Sequence, residues 1–185
     1  MLEQYLINHC APTLASLKTA NLFNCTAENP TALQMAVSRW QALLAPKGVE
    51  LLLLRESGNR ALVYVYRPDR LARDLQQPGV TAFLAHCGYT GTAPAACLDV
   101  LRRKLAVSSD FPHEIGLFLG YPLGDVIGFI ENHGKNCLYC GVWKVYTNPE
   151  AAAGAFRKFS KCTRVYRRLF FGGQRNVEQL TVKSA

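Results

Sequence analysis

The chain has 185 residues, about half of them apolar, with 21 Lys and Arg against 13 Asp and Glu and a net charge of +8. That length fits one domain, and the apolar share excludes a disordered chain and supplies a core without disulfide staples. No apolar run reaches the roughly 18–20 residues of a bilayer crossing, and the opening MLEQYLINHC has an acid where a secretion signal carries bases, so a cytoplasmic protein is expected.

In chain order, Leu2, Tyr5, Leu6 and His9 have helical spacing, with His9 read as a hydrogen-bonded core residue. Pro12 suits the first turn of a second short helix that buries Leu14 and Leu17. Asn29-Pro30 gives an N-cap and first turn, after which Leu33, Val37, Trp40 and Leu44 mark one face of a helix ended by Gly48. The stretch VELLLLRESGNRALVYVYR reads as a β-hairpin turning at Ser57-Gly58-Asn59, apolar enough for both faces to be covered. Short helices follow from Pro68 and Val80, and a longer one from Pro94 turns Cys97, Leu98, Leu101 and Leu105 inward. A helix from Pro122 ends at Gly134, a strand is expected at Tyr139 to Tyr146, and Asn148-Pro149-Glu150 starts the longest helix, which stops at Gly172-Gly173.

This order predicts an α+β fold, a small, mainly antiparallel sheet made of the hairpin plus a later strand and covered by helices. Residues 1–171 are expected to form a single domain and 172–185 a tail. The alternating βαβ rhythm and glycine-rich turn of a dinucleotide-binding fold are missing.

Charge is unevenly divided. Residues 151–185 hold eight bases and one acid, nearly the whole excess. At 100° per residue from Phe156, the residues Phe159, Cys162, Val165, Tyr166, Leu169 and Phe170 fall between about 180° and 320°, while Arg157, Lys161, Arg164, Arg167 and Arg168 fall between about 20° and 140°. Such a stripe suits phosphates, an acidic partner or nucleic acid, with Arg157, Lys161, Arg164 and Arg168 as anion-binding candidates. It equally suits a solvated helix face whose charge complements the helix C-terminus.

Seven cysteines is an odd number for a disulfide framework, and most read as buried thiols. Cys137 and Cys140 form a CxxCG element with His133 upstream, the ligand types zinc or iron would take, but a second pair of ligands is absent from the local sequence. Thiol chemistry would need Cys10, Cys87 or Cys162 beside a base such as His113 or His86, with Glu114 to orient it; His113, Glu114 and Cys10 are the catalytic candidates. The Leu119-Gly120-Tyr121-Pro122 turn also has the outline of a phosphate-holding helix hairpin, in an acidic stretch that argues for simple packing.

Four stretches carry a family resemblance: CAPTLASLKTANLF from Cys10, LVYVYRP ending at Pro68, FPHEIGLFLGYPLGDVIGFIENHGKN from Phe111, and CGVWKVY from Cys140. Together they resemble a bacterial family, common in anaerobes, catalogued as a domain of unknown function. The resemblance implies a small, single-domain cytosolic protein and leans toward iron or redox physiology. It brings no catalytic residue with it. The polar residues of these stretches are Cys10, Lys18, Tyr64, Arg67, His113, Glu114, Tyr121, Cys140, Trp143 and Lys144, and some of them are expected to converge on one site. The leading expectation is a small-molecule-binding or accessory protein with Tyr64, Arg67, Tyr121, Trp143 and Lys144 at the ligand. A cysteine- or metal-dependent enzyme and a polyanion binder are the alternatives.

Overall fold

Helix α1 (Leu2–Leu14) runs through Pro12 without a break, although proline lacks the N–H of a helical hydrogen bond. Its buried face is continuous through Leu2, Leu6, Ile7, Cys10, Ala11 and Leu14, and burying such side chains at about 1.5–3 kcal/mol each outweighs one missing bond in a last turn. One helix therefore replaces the expected two. The chain leaves it through Ser16, at φ 57°, which turns Leu17 outward. His9 is exposed, stacked in line with Tyr5 and Phe23 at centroid distances of 5.9 and 5.6 Å, and is not the core histidine expected.

The computed structural model describes residues 2–107 and 111–183. They fall into two compact units, residues up to Arg70 with those from Lys161 onward, and Leu71 to Ser160. In the first unit α1 is followed by β1 (Ala20–Thr26), α2 (Pro30–Leu44), β2 (Glu50–Ser57) and β3 (Arg60–Tyr66). The three strands pair antiparallel in the order β1-β3-β2. β3 is central and buried from Ala61 to Tyr66, as a strand covered on both faces must be. The fold is α+β as expected, but the hairpin's third strand precedes it in the chain instead of following it. β1 escaped prediction because Asn21 and Asn24 interrupt its apolar pattern; pairing on one side with β3, from Ala20 opposite Tyr66 to Thr26 opposite Arg60, gives it its structure.

α2 begins as predicted. The Asn29 side chain accepts the Ala32 N–H at 2.8 Å, and Leu33, Val37, Trp40 and Leu44 enter a core shared with α1 and the sheet. Residues expected to trail as a tail instead hold α9 (Val177–Leu180), closed by a capping box between Asn176 and Gln179, with Val177 and Leu180 in the same core.

The second unit contains α4 (Val80–His86), α5 (Pro94–Val107), α6 (Ile115–Phe118), α7 (Leu123–Glu131) and a short hairpin of β4 (Tyr139–Cys140) with β5 (Lys144–Val145). Helices α3 (Pro68–Leu75) and α8 (Pro149–Phe171) each contain one of the division points. The single strand expected at Tyr139 to Tyr146 thus reverses on itself after Cys140. Among the described residues no helix is long and apolar enough to cross a membrane.

Candidate functional site

Two glycines and one acid organise the second unit's site. A Cβ on Gly124 would stand 2.5 Å from Thr147 Cγ2, and one on Gly128 would stand 2.5 Å from Tyr146 Cγ. Lying four residues apart, the two glycines give α7 a flat strip on which the Tyr146-Thr147 segment rests. Between them Asp125, buried, accepts the indole N–H of Trp143 at 2.8 Å on Oδ2. Its Oδ1 takes the backbone N–H groups of Tyr146 and Thr147 at 2.8 and 2.9 Å and the Thr147 hydroxyl at 2.8 Å. Charge-assisted bonds of this kind are about twice as strong as neutral ones, and an acid in the first turn of α7 also suits the helix dipole.

The bracket fixes Trp143, whose ring stacks on Tyr121 at 4.8 Å and meets Phe156 edge-on at 4.5 Å. Gly141 lets Phe156 approach where a Cβ would lie 2.3 Å from its ring. On the other side, Gly116 of α6 leaves room for Val126, which a Cβ there would meet at 2.8 Å, and Tyr121 packs in behind. Burial pushes the Tyr121 hydroxyl up to about 12, so it is a neutral donor at any ordinary pH. The result is a cleft of about 360 Å³ with Phe111, His113, Tyr121, Phe129, Trp143 and Lys144 among its walls. His113 sits edge-on to Phe129 at 5.0 Å, and the Lys144 ammonium donates to the Gly134 carbonyl at 2.5 Å and lies 5.9 Å from the Phe129 ring centre. Cys140 lines the cleft as well.

Of the residues expected to converge, His113, Tyr121, Cys140, Trp143 and Lys144 do so. Glu114 does not line the cleft: its carboxylate accepts the Lys104 ammonium at 2.5 Å and the Tyr89 hydroxyl at 3.2 Å, with Lys104 also 4.8 Å above the Tyr89 ring. Tyr64 and Arg67 belong to the first unit. Tyr64 is fully buried and stacks on Tyr66 at 4.9 Å. Arg67 is almost fully buried and donates to main-chain carbonyls, through Nε to Thr13 at 2.7 Å and through Nη2 to Leu14 and Val182 at 2.8 Å each. It closes the C-terminus of α1 and ties the final segment to it, a structural role that the terminal RP of a hairpin does not announce. Lys18 is also interior, donating to the Ala20 carbonyl, and burial lowers its pKa to about 7.

None of the thiol candidates Cys10, Cys87 and Cys162 is exposed. Cys10 is fully buried and its pKa is pushed up by burial, the opposite of what a reactive thiolate needs. Burial likewise raises Cys87, and pushes Cys162 up to about 11 while its thiol points at the Ala11 carbonyl at 3.5 Å. His86 turns Nδ1 to the carbonyl of Ala82, one turn back in its own helix, at 2.7 Å. The metal reading loses its ligand set: among the described residues no group of three or more His, Cys, Asp and Glu is gathered, and Cys137, Cys140 and His133 are no exception. His133, at φ 50°, ends α7 on the exposed surface, and Cys140 opens the β4–β5 reversal. The turn between α6 and α7 holds no spare phosphate donors either, since the N–H groups of Leu119, Gly120 and Tyr121 all donate to α6 carbonyls. On α8 the bases Arg157, Lys161, Arg164 and Arg168 are exposed and pair with no acid among the described residues.

Asp125 is the functional-site residue that sequence reasoning missed. Its signal was present: an acid flanked by Gly124 and Gly128 on an otherwise apolar helix marks a backbone or aromatic partner at close range.

Fold and site together define an α+β protein with a pre-formed aromatic cleft beside a two-residue-strand hairpin. The chain matches the family described as protein of unknown function (DUF3793) over residues 6–181, and it belongs to that family. No curated protein and no solved structure matches it.

Proposed function

We propose that the chain is a small-molecule-binding or accessory protein, acting in the cytoplasm, whose ligand occupies the cleft walled by Tyr121, Phe129 and Trp143. The observation that carries this reading is the fixing of Trp143 by Asp125, Tyr121 and Phe156, because a pre-formed aromatic wall binds without the cost of ordering it. A volume of about 360 Å³ is of the size small-ligand sites have. A thiol hydrogen-bonded to a histidine, which the cysteine-dependent enzyme alternative requires, is not found among the described cleft residues. The link to iron or redox metabolism rests on the family resemblance alone.

A thermal-shift screen of small aromatic metabolites against the full chain and Trp143→Ala tests this. Compounds that raise the melting temperature of the parent and not of the variant are expected. A screen in which nothing binds, or in which the variant responds equally, overturns the reading.

A second reading, a polyanion surface on α8, is favoured by one observation: its exposed bases have no acidic partner among the described residues.

A further inference from the structure

The chemistry of the cleft walls selects among ligands. Flat rings dominate: Tyr121, Phe129 and Trp143, with Phe111 and the His113 imidazole toward the outside. Aromatic faces are satisfied best by another ring in offset or edge-on contact. The one acid of the lining, Asp125, is buried with three donors on Oδ1 and the Trp143 N–H on Oδ2, so most of its acceptor capacity is already taken. Lys144 differs. An ammonium has three donors, and the Gly134 carbonyl takes one of them. A half-buried ammonium with donors to spare, beside the Phe129 ring, attracts an anion more strongly than it would in bulk solvent. A cationic ligand would face Lys144 unfavourably, and a dianion would meet a single lysine in a lining that also holds the Asp125 carboxylate.

We infer that the cleft takes a planar aromatic monoanion of one or two rings, an aromatic carboxylate, with its ring among Tyr121, Phe129 and Trp143 and its carboxylate on Lys144. This inference rests on the binding reading and narrows it to a ligand class.

Three isosteric probes test it: 1-naphthoate, its neutral amide, and 1-naphthylmethylamine, which is cationic at neutral pH. The chain has two tryptophans, so a Trp40→Phe background leaves Trp143 as the reporter of binding. Naphthoate is expected to bind at least tenfold tighter than the amide, and the amine weakest. Lys144→Met should bring naphthoate down to the affinity of the amide while leaving the amide unchanged, and Lys144→Arg should keep the preference. Circular dichroism confirms that each variant is folded, and the arginine variant keeps the test decisive if the methionine variant is not. Equal binding of the three probes, a preference for the amine, or a preference that survives in Lys144→Met overturns the ligand class and leaves the cleft itself a binding site. Failure of all three to bind also overturns the class, and the metabolite screen then decides separately whether the cleft binds anything.

Discussion

The carboxylate of Asp125 and the indole nitrogen of Trp143, 18 positions apart in the chain, meet at 2.8 Å in the interior of the second unit. One oxygen of that carboxylate holds the wall of the cleft, and the other holds the main chain of Tyr146 and Thr147. A change at Asp125 therefore reaches stability and the cleft at once. Asp125→Asn keeps the size but replaces one acceptor by an NH₂ group that must face a donor. A loss of about 2–4 kcal/mol is expected, from lost charge-assisted bonds and an unsatisfied buried group. Urea denaturation measures the loss, and a red shift of Trp143 emission in a Trp40→Phe background should accompany it.

The glycines of α7 and α8 look alike in sequence and differ in what surrounds them. Gly128→Ala would drive a methyl into the Tyr146 ring, so a loss of about 1–3 kcal/mol is expected from overpacking. Gly154→Ala, whose nearest neighbour would be the end of the Arg157 side chain at 3.9 Å, should instead gain about 0.5–1 kcal/mol from helix propensity. Parallel urea melts of the two variants check the opposite signs. Equal effects would mean that α7 does not lie against Tyr146 as described.

The contrast also shows where sequence reading stops. α2 was legible because cap, proline and apolar spacing all agree over Asn29 to Leu44, and each of those cues is local. β1 was not, since its two asparagines weaken the pattern and its structure comes from pairing with β3, a partner some 40 residues away. Trp143, Val145 and Tyr146 favour a strand by propensity, but the packing of Gly141 under Phe156 goes with a reversal that propensity does not encode. In the site, Tyr121, Trp143 and Lys144 were legible as polar or aromatic residues in otherwise apolar blocks. Tyr64 and Arg67 look the same by that criterion and lie in the interior of the first unit, because only tertiary structure tells a donor facing a ligand from one facing a carbonyl.

The final segment is a part of the core that composition hides. Val177 and Leu180 are buried, Lys47 donates to the Glu178 carbonyl at 2.5 Å, and the Val182 N–H donates to Leu14 at 3.0 Å. Truncation after Gln174 removes two buried aliphatic side chains and uncovers part of the Arg67 guanidinium. A loss of about 3–6 kcal/mol is expected, at about 1.5–3 kcal/mol for each aliphatic side chain. Thermal melts of the truncated and the full chain separate a docked segment from a dispensable tail.

Lys18 makes stability depend on pH. Its pKa is lowered by burial to about 7 in the folded chain, against an ordinary lysine value of about 10.4 when unfolded. Between these two values the unfolded chain binds more protons, so unfolding becomes harder as pH rises. Below pH 7 both states are protonated and the burial penalty is fully felt. The Lys18 contribution should therefore climb from about pH 7 toward pH 9, by at most about 1.4 kcal/mol per pH unit. The thiols of Cys10, Cys25, Cys87, Cys97 and Cys162, raised by burial, lower stability above about pH 8, so the difference between parent and variant carries the signal. Lys18→Met should flatten the climb and be more stable than the parent at pH 6. Urea midpoints at pH 6, 7, 8 and 9 give the comparison, and parallel curves for the two proteins would remove Lys18 as the cause.

The basic face of α8 gives the last test. Arg157, Lys161, Arg164 and Arg168 recur at intervals of four, three and four residues, which the helical rise spaces about 6, 4.5 and 6 Å along the axis. Successive phosphates of a single nucleic-acid strand lie at a comparable repeat, so one strand laid along the helix would meet the bases in turn. If the face binds such a strand, affinity for a short oligouridine should fall steeply with salt. Arg157→Ala, Arg164→Ala and Arg168→Ala together should reduce the slope of log K against log salt by about 2, as expected from about 0.7 per lost contact on a single strand. Fluorescence anisotropy from 50 to 300 mM salt reads both quantities. Binding that is absent, insensitive to salt, or unchanged in the triple variant makes α8 a solvated face whose charge serves the helix C-terminus and solubility.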